Sequence, residues 1–157
     1  MQRHSVVNDR SYSRRLPNLA SRARVRAYAR SIMTFRAYIV EDSPTIRDNL
    51  IETLQELAEV ESVGTAETEQ EGKRWLAAND DYWDLAIVDL FLRQGNGLNI
   101  LAACRARRHG QKMVVLSNHA TREVRARCAQ LGADAVFDKS TEIDQLVAYC
   151  LGVRKGR

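Results

Sequence analysis

The chain has 157 residues, 45% of them hydrophobic and 28% charged, with a formal net charge of +4 and a sequence pI near 9.2. That length suits one domain, which at this size buries roughly two-thirds of the surface its unfolded chain exposes and needs no disulfide or metal staple. The composition excludes collagen, coiled coil and disorder as whole-chain descriptions, no run approaches the roughly 20 apolar residues of a membrane helix, and three widely spaced cysteines (Cys104, Cys128, Cys150) point to a soluble, cytoplasmic protein of a reducing compartment.

Residues 1–34 hold eight arginines, no lysine and a single acid, Asp9, for a net +7, whereas residues 35–157 carry a net −3. The basic pI is therefore the property of a tail, and the mildly acidic remainder argues against a phosphate-backbone footprint on the domain itself. Val25, Tyr28, Ala29 and Ile32 fall on one helical stripe among arginines, a pattern open to an anionic membrane or a nucleic acid. The Arg- and Ser-rich composition also mimics a transit peptide, and Met33 is a further candidate start. Residues 1–34 are expected to be a basic N-terminal extension, ill-ordered or non-native, because termini without a core to dock on are commonly disordered.

From Phe35 onward short apolar runs alternate with longer amphipathic stretches, the pattern of βαβ units and a parallel sheet. Ala37–Val40 reads as a buried strand, followed by Ser43 as N-cap, Pro44 at the first helical position, and a stripe of Ile46, Leu50, Ile51, Leu54 and Leu57. The unit repeats. Val60–Ala66 reads as a strand and Glu67–Asn79 as a helix carrying Trp75 and Leu76, then Leu85–Val88 as a strand and Leu98–Arg107 as a helix, its C-terminus marked by His109 and Gly110. Met113–Leu116 is the next strand, and Val124, Cys128 and Leu131 stripe the next helix. Ala133–Phe137 is the last strand, and Ile143, Leu146, Val147, Cys150 and Leu151 face inward from a last helix. Trp75, Trp83 and the cysteines are expected to be packing residues. Near-continuous apolar strands mean a sheet covered on both faces, so the expected fold is α/β, a doubly wound three-layer sandwich whose ligands bind at the carboxyl ends of the strands.

Those ends carry Glu41 and Asp42 after the first strand, Asp89 after the third, Ser117 after the fourth and Lys139 just past the fifth. Clustered acids repel and raise their own pKa values unless a cation sits among them, and oxygen-only ligands point to Mg²⁺, or Mn²⁺ in its place. Lys139 and Ser117 opposite that metal make a socket for a dianionic group. Asp89, at the centre, is then a competent nucleophile toward phosphorus, and the set reads as a phosphoryl acceptor.

On these residues the chain resembles the receiver domain of two-component response regulators of the single-domain, chemotaxis-regulator type. The family pattern is an acidic pair after its first strand, a phosphorylated Asp after the third, Thr or Ser after the fourth and Lys after the fifth. Glu41 and Asp42, Asp89, Ser117 and Lys139 match it, and Gly97 matches the family's loop glycine. The resemblance covers essentially all of residues 35–153, makes residues 35–157 one receiver domain, and implies a flavodoxin-like, five-stranded parallel sheet in the order 2-1-3-4-5 with five helices. It further implies a bacterial signalling domain that accepts a phosphoryl group on Asp89 from a sensor histidine kinase or a histidine phosphotransfer protein. Mg²⁺ would be held by Asp42, Asp89 and the backbone carbonyl of Phe91, with Glu41 assisting through water. Beyond self-phosphorylation and slow self-dephosphorylation no enzymatic activity is implied. The output would be a changed protein-binding surface, with no nucleic acid bound through the receiver domain. Because the chain ends about four residues past its last expected helix, a stand-alone regulator is the expectation.

Departures from the family pattern are specific. Arg93 stands where many receivers have proline, Ser140 stands where a proline usually follows the lysine, and Asn118 replaces a small residue after the hydroxyl. Val136 takes the slot that often holds a switching Tyr or Phe. The Lys139–Ser140 bond is expected to be trans, since non-proline cis costs about 3 kcal/mol. The resemblance also implies that Phe91 and His119 flank the path by which water would reach an aspartyl phosphate. Two other classes stay open: a pseudo-receiver working without phosphorylation, and a haloacid-dehalogenase-like phosphohydrolase. The latter wants a second Asp two residues past its nucleophile, and here that position is Phe91.

Overall fold

The computed structural model describes residues 34–156 together with Arg24 and Val25, which are helical. The rest of the N-terminal stripe, Tyr28, Ala29 and Ile32, lies outside the described residues. Strands and helices alternate as β1 (Phe35–Val40), α1 (Pro44–Ala58), β2 (Val60–Ala66), α2 (Glu69–Ala78), β3 (Leu85–Val88), α3 (Gly97–Ala103), β4 (Lys112–Ser117), α4 (Arg122–Gln130), β5 (Ala135–Asp138) and α5 (Ile143–Lys155). All strand pairings are parallel, and the sheet order is β2-β1-β3-β4-β5. This is the flavodoxin-like fold, with the expected strand order.

Successive residues of a strand point to opposite faces, so each central strand feeds two cores. Ala37, Ile39, Leu85, Ile87, Val114 and Leu116 pack with Leu50, Leu54 and Ala58 of α1 and Leu146, Val147 and Cys150 of α5. On the other face Tyr38, Val40, Ala86, Val88, Met113 and Val115 pack with Leu76 of α2, Ile100 and Leu101 of α3 and Cys128 of α4. Trp75 stacks flat on Tyr38 with ring centroids 4.0 Å apart, and Trp83 is buried. Cys128 and Cys150 are buried as well, whereas Cys104 is half-buried.

Helix starts follow local chemistry. Ser43, Thr68, Asn96 and Thr121 each accept a first-turn backbone N–H with the side-chain oxygen, and Pro44 occupies a position whose own N–H would have no partner. These caps correct the expected start of α2 from Glu67 to Glu69. Helix α3 is also shorter than its apolar pattern predicts. Arg107 leaves the helix and spreads its guanidinium over the carbonyls of Cys104, Gln111 and Gly132, and residues 104–106 form a turn. Gly110, with φ +93°, thus ends a turn and not a helix. Ile46 and Leu57 were expected on the inner stripe of α1 but are 37% and 58% exposed. At about 100° per residue both fall on one flank of the Leu50–Leu54–Ala58 line, while Ile51, on the other flank, packs on the core. Strand β5 begins at Ala135 because the Ala133 N–H goes to the Cys128 carbonyl at the end of α4. No helix among the described residues is long and apolar enough to cross a membrane.

Candidate functional site

In this sheet order the chain reverses direction of winding between β1 and β3, and the crevice beyond their carboxyl ends is where open α/β sheets bind ligands. Backbone bonds carry the ladder past the strand ends and fix the residues there. The Glu41 N–H donates to the Ala66 carbonyl, the Asp89 N–H to the Val40 carbonyl and the Lys139 N–H to the Ser117 carbonyl, at 3.0, 2.9 and 3.1 Å. Ser117 is the last residue of β4, fully buried and in register with Asp138.

Glu41, Asp42 and Asp89 each bring one carboxylate oxygen within 4.8 Å of the others. Lys139, its side chain 8% exposed, reaches between two of them, with Nζ 2.5 Å from Glu41 Oε2 and 2.9 Å from Asp89 Oδ2. Burial alone would pull this ammonium down, but hydrogen bonds and charge from Glu41 and Asp89 outweigh it and hold Lys139 above the ordinary lysine value. Three of the remaining carboxylate oxygens are oriented by backbone donors. Ser43 N–H donates to Glu41 Oε1 at 2.9 Å, Arg93 N–H to Asp42 Oδ2 at 2.8 Å, and Phe91 N–H to Asp89 Oδ1 at 3.2 Å. Two cations, the buried Lys139 ammonium and the exposed Arg93 guanidinium whose Nε lies 3.6 Å from Asp42 Oδ2, face three carboxylates, which leaves an excess of negative charge on hard oxygen donors. That donor chemistry fits a small divalent cation such as Mg²⁺.

The loop after β3 closes onto the site because position 97 lacks a side chain. A Cβ on Gly97 would stand 2.2 Å from the Asp89 carbonyl oxygen and 2.8 Å from Leu90 Cα, an impossible approach for any other residue. Glu69, at the start of α2, holds the outside of that loop by accepting from Asn96 N–H and Asn99 Nδ2 as well as from Lys73 Nζ. These donors lower its pKa to about 2. Phe91 projects outward, 60% exposed, and its ring lies 5.1 Å from that of His119. The His119 backbone N–H donates to Ser117 Oγ at 3.2 Å.

The fold thus brings Glu41, Asp42, Asp89 and Lys139 into one cluster, with Ser117 on the adjacent strand end and Phe91 at its rim. The peptide between Lys139 and Ser140 is trans, as expected for a non-proline residue, and Asp138 Oδ1 accepts the Ser140 N–H at 2.7 Å. The backbone bond from Arg93 to Asp42 had no sequence signal, because it depends on loop conformation and not on side-chain type.

Comparison with known proteins gives a consistent answer. The family model described as "Response regulator receiver domain" matches residues 37–150. A "Probable transcriptional regulatory protein" of Picosynechococcus sp. is 32% identical over 120 residues, covering 73% of this chain and 47% of that protein, so the chain spans about half the length of the curated relative it matches. Among solved structures, a LuxR-family two-component response regulator from Aurantimonas sp. aligns with TM-score 0.69 and 20% identity over 79% of this chain and 87% of its own. The response regulator domain of Thermotoga maritima CheB aligns with TM-score 0.64 and 17% identity over 78% and 95%.

Proposed function

The chain belongs to the response regulator receiver family, and from that premise we propose that it accepts a phosphoryl group on Asp89 from a phosphohistidine of a sensor kinase or phosphotransfer protein. The observation that carries this reading is the Lys139 ammonium held between Glu41 and Asp89 inside a group of three carboxylates at the switch point of the sheet. An Asp89 oxygen attacks phosphorus, the bond from phosphorus to the imidazole nitrogen breaks, and the histidine side chain leaves as the neutral ring after protonation. Lys139 loses part of its contact with Asp89 as that carboxylate becomes an acyl phosphate, and its ammonium turns to a phosphoryl oxygen. Ser117 donates its hydroxyl to a second oxygen. Asp42, Asp89 and the Phe91 carbonyl, with Glu41 behind them, are the groups that would hold Mg²⁺. That cation supplies charge neutralisation between the two anionic reactants. Signalling then follows from altered protein contacts of this domain.

Incubation of the full chain with Mg²⁺ and acetyl phosphate tests the proposal by intact mass. One added phosphoryl group per chain, absent in Asp89→Asn, is the expected result. No adduct in the unsubstituted protein would favour a partner-binding domain that works without phosphorylation, and steady release of phosphate from a range of phosphate esters would favour a hydrolase.

A further inference from the structure

Arg125, in the first half of α4, reaches three separate segments. Its Nε donates to the Ala120 carbonyl at 2.9 Å, one terminal nitrogen to the Val136 carbonyl at 2.6 Å, and the other to Glu142 Oε2 at 2.8 Å. The same Glu142 oxygen accepts the backbone N–H of Asp138 at 2.7 Å, and the Glu142 N–H donates to the Asp138 carbonyl at 2.9 Å. Ala120 lies three residues past Ser117, and Asp138 immediately precedes Lys139. The guanidinium and one carboxylate therefore bridge the two segments that present the hydroxyl and the ammonium.

The pair is partly solvent-exposed, at 39% and 21% for the two side chains, so its attraction as an ion pair contributes little to stability. Its geometric effect is larger. The planar guanidinium has a fixed fork, so placing one donor constrains the others. Two of its three partners are main-chain carbonyls, which cannot swing away as a side chain can. Val136, whose carbonyl it holds, packs its short branched side chain against the core.

We propose that Arg125 and Glu142 form a positioning pair that ties the Ser117–Ala120 loop to the Asp138–Lys139 end of β5. In this arrangement a shift of either segment on phosphoryl binding moves the other. The proposal deepens the phosphoryl-acceptor reading and rests on it, but its central claim concerns a linkage already present in the unphosphorylated protein.

That linkage is read in the ¹⁵N-labelled full chain without phosphodonor. Glu142→Gln is expected to move the amide resonances of His119 and Ala120, on the far side of the bridge, as well as that of Asp138. Unmoved His119 and Ala120 amides would overturn the proposal whatever the protein does with phosphate. With Mg²⁺ and beryllofluoride, Arg125→Ala and Glu142→Gln should each weaken binding about tenfold, as loss of a partner that orients site groups does. The double variant should be no worse than either single one, and Arg125→Lys should recover part of the loss. Additive losses, or a lowered melting temperature with unchanged beryllofluoride affinity, would overturn it. Failure of the unsubstituted protein to bind beryllofluoride would instead sink the acceptor reading, leaving the amide shifts to decide the linkage.

Discussion

At Lys139 a single buried ammonium faces two carboxylates, and removing one member of such a set leaves charge uncompensated in a place water barely reaches. Gly97 acts on the same centre without touching it chemically. Gly97→Ala must displace the Asp89 carbonyl, since its new methyl would stand 2.2 Å from that oxygen. The variant is expected to lose about 1–3 kcal/mol of stability, the usual cost of overpacking, and to label more slowly with acetyl phosphate. Urea unfolding and the labelling rate check the two effects separately. Phe91 and His119 hold their rings 5.1 Å apart beside the Asp89 and Ser117 strand ends, and on the proposed phosphoryl-acceptor reading they would flank the approach of water to Asp89. Phe91→Asn replaces an apolar ring by a group that can hold water there, so the phosphorylated protein should decay faster than the unsubstituted one. A decay followed by intact mass that is unchanged or slower would contradict this. The residue types and their places at strand ends were legible in the sequence, because apolar runs mark strands and the polar residue ending each run is visible by inspection. The reason for Gly97 was not, since a close approach of backbone to backbone leaves no trace beyond the glycine itself.

Among the elements, α2 contributes to the site by fastening a loop it does not belong to. Glu69 takes its donors from Asn96, Asn99 and Lys73, and its pKa is lowered to about 2. A carboxyl whose folded pKa lies below its unfolded value stabilises the fold fully above the ordinary carboxylate range near pH 4.5, and that contribution disappears as pH falls toward 2. Glu69→Gln should therefore be less stable than the unsubstituted chain at pH 6, and the gap should close steadily as pH drops from 4.5 to 2. Denaturant melts across that range measure it, and a gap independent of pH would show that the loop is held by other contacts. Element existence and order followed from periodicity, but the starts of α2 and β5, the end of α3 and the inward flank of α1 did not. The end of α3 depends on Arg107 choosing carbonyls outside the helix. The start of α2 depends on Thr68 accepting the Glu71 N–H. The exposure of Ile46 and Leu57 depends on which flank of α1 meets the sheet, a choice made by the partner elements and not by the helix's own pattern.

For the molecule as a whole, charge and site are the same question. Residues 35–157 carry a net −3, and the cluster of Glu41, Asp42, Asp89 and Lys139 concentrates a net −2 of it at one end of the sheet. Folding collects these carboxylates from strand ends that are far apart in sequence, so a cation that binds the folded cluster and not the dispersed chain must stabilise the fold. At a Mg²⁺ concentration ten times its dissociation constant the gain is about 1.4 kcal/mol, whatever the details of coordination. On the proposed reading Asp42→Asn would remove one Mg²⁺ ligand, and it removes one charge from a side chain that also accepts the Arg93 N–H, a bond the amide oxygen can still accept. The variant should therefore fold without Mg²⁺ and lose most of the Mg²⁺-dependent gain. Monovalent salt at matched ionic strength separates site binding from general screening, since it weakens repulsion over the whole surface but has too little charge to organise three carboxylates. A melting temperature that rises equally with Mg²⁺ and with matched NaCl, or equally in Asp42→Asn and the unsubstituted chain, would place the stabilisation on the surface field and remove the cluster as its cause.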